Sequence, residues 1–160
     1  MFSRFVFVVG LLLAAWMSLS GWVFGIGGDL SAWYVPTIGL TVAMTHWFIA
    51  GRLRVTVERK HRTGRGTIVA LVLAWLCAIG FGFTVPNRHE GELVSIMSHL
   101  TSPENLGLSI GICNPLGIIA ITLMGIALTF AALDARGPKA DTDDELTPEQ
   151  RAALMARPGG

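Results

Sequence analysis

Charge is what this chain has least of. Only 14% of its 160 residues are Asp, Glu, Lys or Arg, against roughly 25% in an ordinary soluble domain, while 52% are hydrophobic. A soluble core of this size cannot enclose so much apolar surface without leaving some of it in water. Cysteine is scarce too. Cys77 and Cys113 each lie inside a hydrophobic run, and no CxxC pair or Cys/His spacing marks a zinc or iron–sulfur centre. Both thiols read as small buried apolar groups. No Gly-rich phosphate loop, nucleophile elbow or Ser/His/Asp arrangement is readable, so the sequence indicates neither an enzyme class nor a cofactor. The hydrophobic runs also contain no acid, which speaks against a proton-coupled pump.

What the chain does have is long uncharged runs. Four stretches lack Asp, Glu, Lys and Arg: Phe5–Gly28, Leu30–Gly51, Gly66–Asn87 and Asn105–Leu133. About 20 helical residues cross a hydrocarbon core of roughly 30 Å, and only helices or closed barrels satisfy the backbone there. The expected fold is therefore all-α: an integral membrane bundle of four transmembrane helices over residues 1–135, with spans near 5–24, 33–50, 67–85 and 106–133. A competing reading of the N-terminus is a cleavable leader, with Arg4, the apolar Phe5–Met17 and the small-x-small Ser18-Leu19-Ser20. The apolar run continues through Trp22 and Phe24, which favours an uncleaved span.

The few charges are unevenly placed. Residues 51–66 hold six of the twelve Lys and Arg residues: Arg52, Arg54, Arg59, Lys60, Arg62 and Arg65. Basic loops are retained on the cytoplasmic side during insertion. Placing this loop inside puts both termini in the cytoplasm and leaves only Arg88 outside. The localisation that follows is the inner (plasma) membrane, with a multi-pass topology. These six residues are also candidates for anionic lipid headgroups, each worth about 1 kcal/mol near a charged leaflet. Without an aromatic platform the cluster does not suggest nucleic-acid binding.

The fourth run is longer than a bilayer needs, since 28 residues reach about 42 Å. Asn114-Pro115 offers two solutions: one tilted helix kinked at Pro115, or a short outer helix over 103–112 followed by a span starting near Pro115. Residues 136–160 read as an acidic, mostly disordered tail, with a capping box at Thr147-Pro148-Glu149-Gln150 opening a short helix over 148–156.

Candidate sites are thinly spread. His46 is the one ionisable side chain inside a span, about 9 Å of helix rise from Arg52. Thr37, Thr41 and Thr45 recur every four residues and share a helix face. With His46 and Asn114 they form a helix-packing face or, alternatively, a polar path. Gly21-x-x-x-Gly25, Gly107-x-x-x-Gly111 and Ala127-x-x-x-Ala131 have the spacing of close helix contacts. On the outer side, residues 92–100 read as an interfacial helix with the apolar stripe Leu93, Ile96, Met97 and Leu100. Glu92, Ser95 and His99 would then share its polar face, and His89, Glu92 and His99 are the candidate metal ligands.

Small-residue faces without convergent reactive groups point to a non-catalytic accessory, assembly or scaffold subunit acting through a membrane partner or as a homo-oligomer. The alternatives are a small oligomeric transporter or channel, and an outer-face metal-binding protein.

Overall fold

The structure, a computed structural model, describes residues 1–137. It is helical apart from one small hairpin. Helix α1 (Phe2–Val23) is followed by a rod in three parts: α2 (Leu30–Tyr34), a π-helical turn (Val35–Gly39) and α3 (Leu40–Glu58). Next come α4 (Arg65–Thr84), strands β1 (Pro86–His89) and β2 (Glu92–Ser95), α5 (Ile96–Leu100), a 3-10 turn (Pro103–Asn105) and α6 (Leu106–Arg136). Three helical stretches are long and apolar enough to cross a membrane: Phe2–Val23, Arg65–Thr84 and Pro103–Arg136. The tail beyond residue 137, including the expected helix over 148–156, lies outside the described residues.

The helices form two antiparallel pairs laid side by side. α1 packs on the α3 rod and α4 on α6, while α3 contacts α6 and α1 contacts α4 across the junction. Two apolar clusters fill the interior. One gathers Leu13, Met17, Val42, Ala78, Phe81 and Met124. The other gathers Val6, Ile49, Leu53, Leu71, Ala127 and Ala131 around the end that carries the basic loop. The outside is apolar as well, with Leu12, Leu76 and Ile118 all more than 60% exposed. Such a surface suits lipid and not water.

Local chemistry sets the helix ends. α1 stops at Gly25, whose φ of +73° suits glycine. Ile26 N–H then bonds the Gly21 carbonyl (2.9 Å) and Gly25 N–H bonds that of Trp22 (3.3 Å), a Schellman closure. Gly25 is thus a helix stop, and the Gly21/Gly25 pair is not a packing motif. The Ala127/Ala131 pair does pack, with both residues fully buried. In the rod, Pro36 cannot donate to the carbonyl four residues back and its ring crowds that turn, which widens to π geometry.

The uncharged runs understate the helices they mark. The rod does not end near residue 50 but continues to Glu58, carrying Arg52 and Arg54 with it. Charge stops a helix from entering lipid; it does not stop it from being a helix. The same closure as at Gly25 ends α3, with Lys60 at φ +58° and His61 N–H bonded to the Thr56 carbonyl (2.9 Å). The loop to α4 is only residues 59–64. α6 runs unbroken through Pro115 for 31 residues, about 46 Å. The alternative of a separate outer helix ending before Pro115 is therefore wrong, and Pro103 belongs to a single 3-10 turn.

The segment between α4 and α6 corrects a larger expectation. Residues 92–100 are not one interfacial helix. Pro86–His89 and Glu92–Ser95 pair antiparallel, with Asn87 opposite Val94 and His89 opposite Glu92. The two-residue turn places Glu90 (φ +51°) and Gly91 (φ +90°) in the left-handed region, the geometry that matches the twist of a hairpin. Ser95 then caps α5 through a reciprocal box with Ser98. The supposed apolar stripe is split, with Ile96 1% exposed and Leu100 59%.

Candidate functional site

His46 sits at the centre of the bundle, fully buried. Its Nδ1 lies 2.9 Å from the Val42 carbonyl, and its Nε2 accepts the Trp75 indole N–H at 3.1 Å. These partners require the neutral tautomer with the proton on Nδ1. The Trp75 bond crosses the bundle diagonal from α4 to α3. Trp75 also packs against both apolar clusters, so the pair occupies the seam between them. Gly10 makes room for it, because a Cβ there would overlap the Cβ and Cγ of His46. His46 is a buried, hydrogen-bonded cross-brace.

The threonines point elsewhere. Thr37, Thr41 and Thr45 return their hydroxyls to the carbonyls of Trp33, Thr37 and Thr41 at 2.6, 2.6 and 2.8 Å. Thr37 and Thr41 are exposed on the outside of the rod and Thr45 is half-buried. Within the chain these side chains and His46 do not line a common path.

Asn114 proves to be the most informative of the polar residues. It is exposed on α6, on the face opposite the buried Ser109, Cys113, Ala120 and Met124. At 100° per residue, Gly107, Gly111, Asn114, Thr122, Gly125 and Thr129 fall in one stripe on that outward face, and all are exposed. A Cβ at Gly107, Gly111 or Gly125 would meet open space. Pro115 adds a second polar group. It has no N–H, so the Gly111 carbonyl loses its usual donor four residues on. Asn114 lies about 12 Å along the axis from Leu106, in the second quarter of α6. An outward amide and an undersatisfied carbonyl thus stand together among glycines.

The hairpin end is held by polar contacts and does not assemble a ligand set. Asn87 Nδ2 donates to Ser31 Oγ (2.8 Å), Tyr34 OH to the Pro86 carbonyl (2.9 Å), and Ser20 Oγ to the Gly82 carbonyl (2.8 Å). Ser109 Oγ donates to the Thr84 carbonyl at 3.0 Å. His89 and Glu92 face each other across the ladder, whereas His99 is on α5, beyond the chain reversal. Among the described residues no group of three or more His, Cys, Asp or Glu side chains could hold a metal ion. The shared face expected for Glu92, Ser95 and His99 does not exist, because Ser95 is buried as a cap. Cys77 and Cys113 are free thiols.

At the other end the six basic residues are not one cluster. Arg52 and Arg54 are 200° apart on α3 and so leave it on different flanks. Arg59 reaches over to α6 and donates to the Ala135 carbonyl (3.1 Å). Lys60 and Arg62 are exposed in the loop, and Arg65 opens α4. Asp134 organises this end. Its Oδ2 accepts from Gly64 N–H (2.8 Å) and Thr67 Oγ1 (2.7 Å), so a carboxylate on α6 caps the start of α4, whose own cap residue is a glycine. The readable signal was a carboxylate ending an apolar run, with a cap-deficient Gly64-Arg65 start elsewhere in the chain.

No family model matches this chain, and no curated protein or solved structure is similar to it.

Proposed function

We propose that this chain is a small non-catalytic integral membrane subunit that works by packing the outward face of α6 against a transmembrane helix of a partner or of a second copy. The observation that carries this reading is Asn114 beside the Gly111 carbonyl that Pro115 leaves without a donor. Both are polar groups facing outward where a bilayer offers no hydrogen bonds. A second helix could approach closely over Gly107, Gly111 and Gly125 and satisfy them, the geometry by which membrane helices associate. The rod Leu30–Glu58 is then a fourth span, its uncharged residues 30–51 crossing the bilayer and its Arg52, Arg54 and Glu58 projecting beyond. We orient the basic loop and both termini to the cytoplasm of a cell whose inner (plasma) membrane holds the protein. That orientation is supported by Arg4, Arg52, Arg54, Arg59, Lys60, Arg62, Arg65 and Arg136 all lying at one end, with Arg88 at the other.

The test is gentle solubilisation from native membranes followed by native mass spectrometry, with Asn114→Leu and Gly111→Leu beside the unaltered chain. Both positions face open space, so neither change disturbs the monomer. The unaltered chain should carry a stoichiometric partner or form a defined oligomer, and both variants should lose it. A monomer without a partner in the unaltered chain refutes the proposal.

A further inference from the structure

Between the first turn of α1 and the lower half of α3 lies an open groove of about 320 Å³, lined by Ser3, Arg4, Phe7, Trp47, Gly51 and Arg54, with Ala50. We infer that it is a binding site for one glycerophospholipid with an anionic headgroup. The claim goes beyond the helix contacts of α6 and rests only on the reading that the chain spans a membrane.

Charge complementarity points to the occupant. Two arginines from different helices line the groove, and among the described residues its lining includes no carboxylate. Arginine is suited to phosphate because its planar fork donates in pairs. The rest of the lining suits the remainder of a lipid. Ser3 supplies a hydroxyl at the end of α1. Phe7 and Trp47 form an edge-to-face pair, with centroids 6.1 Å apart at 88°, and Trp47 is 67% exposed. Tryptophan is an amphipathic ring favoured at the level of headgroups. From the arginines towards the middle of the bundle the groove therefore passes from cationic to aromatic, as a lipid passes from phosphate to acyl chain. The groove has room at Gly51, where an added Cβ would meet nothing within 4 Å. The volume falls in the range of small-ligand sites. A free phosphate ion shares the chemistry of the headgroup but has no use for the aromatic floor.

The measurement is native mass spectrometry of the full chain released from nanodiscs that contain phosphatidylglycerol and phosphatidylcholine in equal amounts. The unaltered chain should retain one phosphatidylglycerol in preference to phosphatidylcholine. Arg4→Gln with Arg54→Gln should cut that retention about tenfold or more. Gly51→Phe should do the same with every charge in place, because it fills the groove. Arg62→Gln with Arg65→Gln removes as much charge from the same end, outside the groove, and should change retention less than twofold. Circular dichroism confirms that each variant is folded. Equal losses from the two arginine pairs would mean unspecific attraction and overturn the inference, as would full retention in the Gly51→Phe protein. Displacement of the lipid by millimolar inorganic phosphate would also overturn it, assigning the groove to the free ion.

Discussion

Replacing Gly10 by alanine sets two effects of opposite sign against each other, and the structure decides between them. In an open helix Gly→Ala stabilises by about 1 kcal/mol. Gly10, however, lies against His46, and an added methyl would overlap its Cβ and Cγ. The Cβ is fixed by the backbone, so no rotamer carries it away. The ring is further held by the Val42 carbonyl at 2.9 Å and the Trp75 indole at 3.1 Å. The helices must separate, at an overpacking cost of about 1–3 kcal/mol. Misaligning the Trp75 bond adds about 0.6 kcal/mol, the typical worth of a hydrogen bond between membrane helices. Less the helix-propensity gain, Gly10→Ala should destabilise by about 0.5–2.5 kcal/mol. Gly51→Ala provides the contrast, because its site is open and it should be neutral or stabilising by up to about 1 kcal/mol. Thermal and denaturant unfolding of both proteins in the same detergent, followed by tryptophan fluorescence, gives the comparison. If Gly10→Ala is as stable as Gly51→Ala, the close approach of α1 to His46 is wrong.

Two further outcomes follow from the ends of the bundle. Asp134→Ala removes the acceptor shared by Gly64 N–H and Thr67 Oγ1 and should cost about 2 kcal/mol for these half-buried charge-assisted bonds. Asp134→Asn keeps an oxygen in place and should lose about half as much, which the same unfolding assay resolves. Gly91→Val forces a branched residue to φ +90° at a cost of at least about 1–2 kcal/mol. Hydrogen exchange should then rise in residues 86–95 while the centres of α4 and α6 remain protected.

The long helices were legible because a bilayer imposes one crude requirement, some 20 residues without charge, and Phe5–Gly28, Gly66–Asn87 and Asn105–Leu133 state it openly. Their ends were harder, since hydropathy reports where lipid stops and not where hydrogen bonding does. Helix α3 therefore outran its uncharged run by a further turn and more. The hairpin was hidden by coincidence. Leu93, Ile96, Met97 and Leu100 happen to repeat at helical spacing, while the real signal was the two-residue turn Glu90-Gly91 between Pro86 and Ser95. Asn114 was visible as a polar residue, but its outward direction was not, because an apolar helix in lipid has little amphipathic contrast to show which side is inside.

By itself, then, the sequence determined a helical, charge-poor chain with its basic residues gathered between two apolar runs, since these properties depend only on which residues lie next to one another. Tertiary structure alone decided that Gly10 makes room for His46, that Trp75 braces it across the diagonal, that Asp134 caps a helix 70 residues away, and that Arg4 joins Arg54 at one groove. Each of these is a meeting between helices. In a bundle whose inner and outer faces are equally apolar, hydrophobic patterning carries little information about such meetings, and the fit of glycines to neighbouring side chains together with the placement of a few hydrogen bonds settles them.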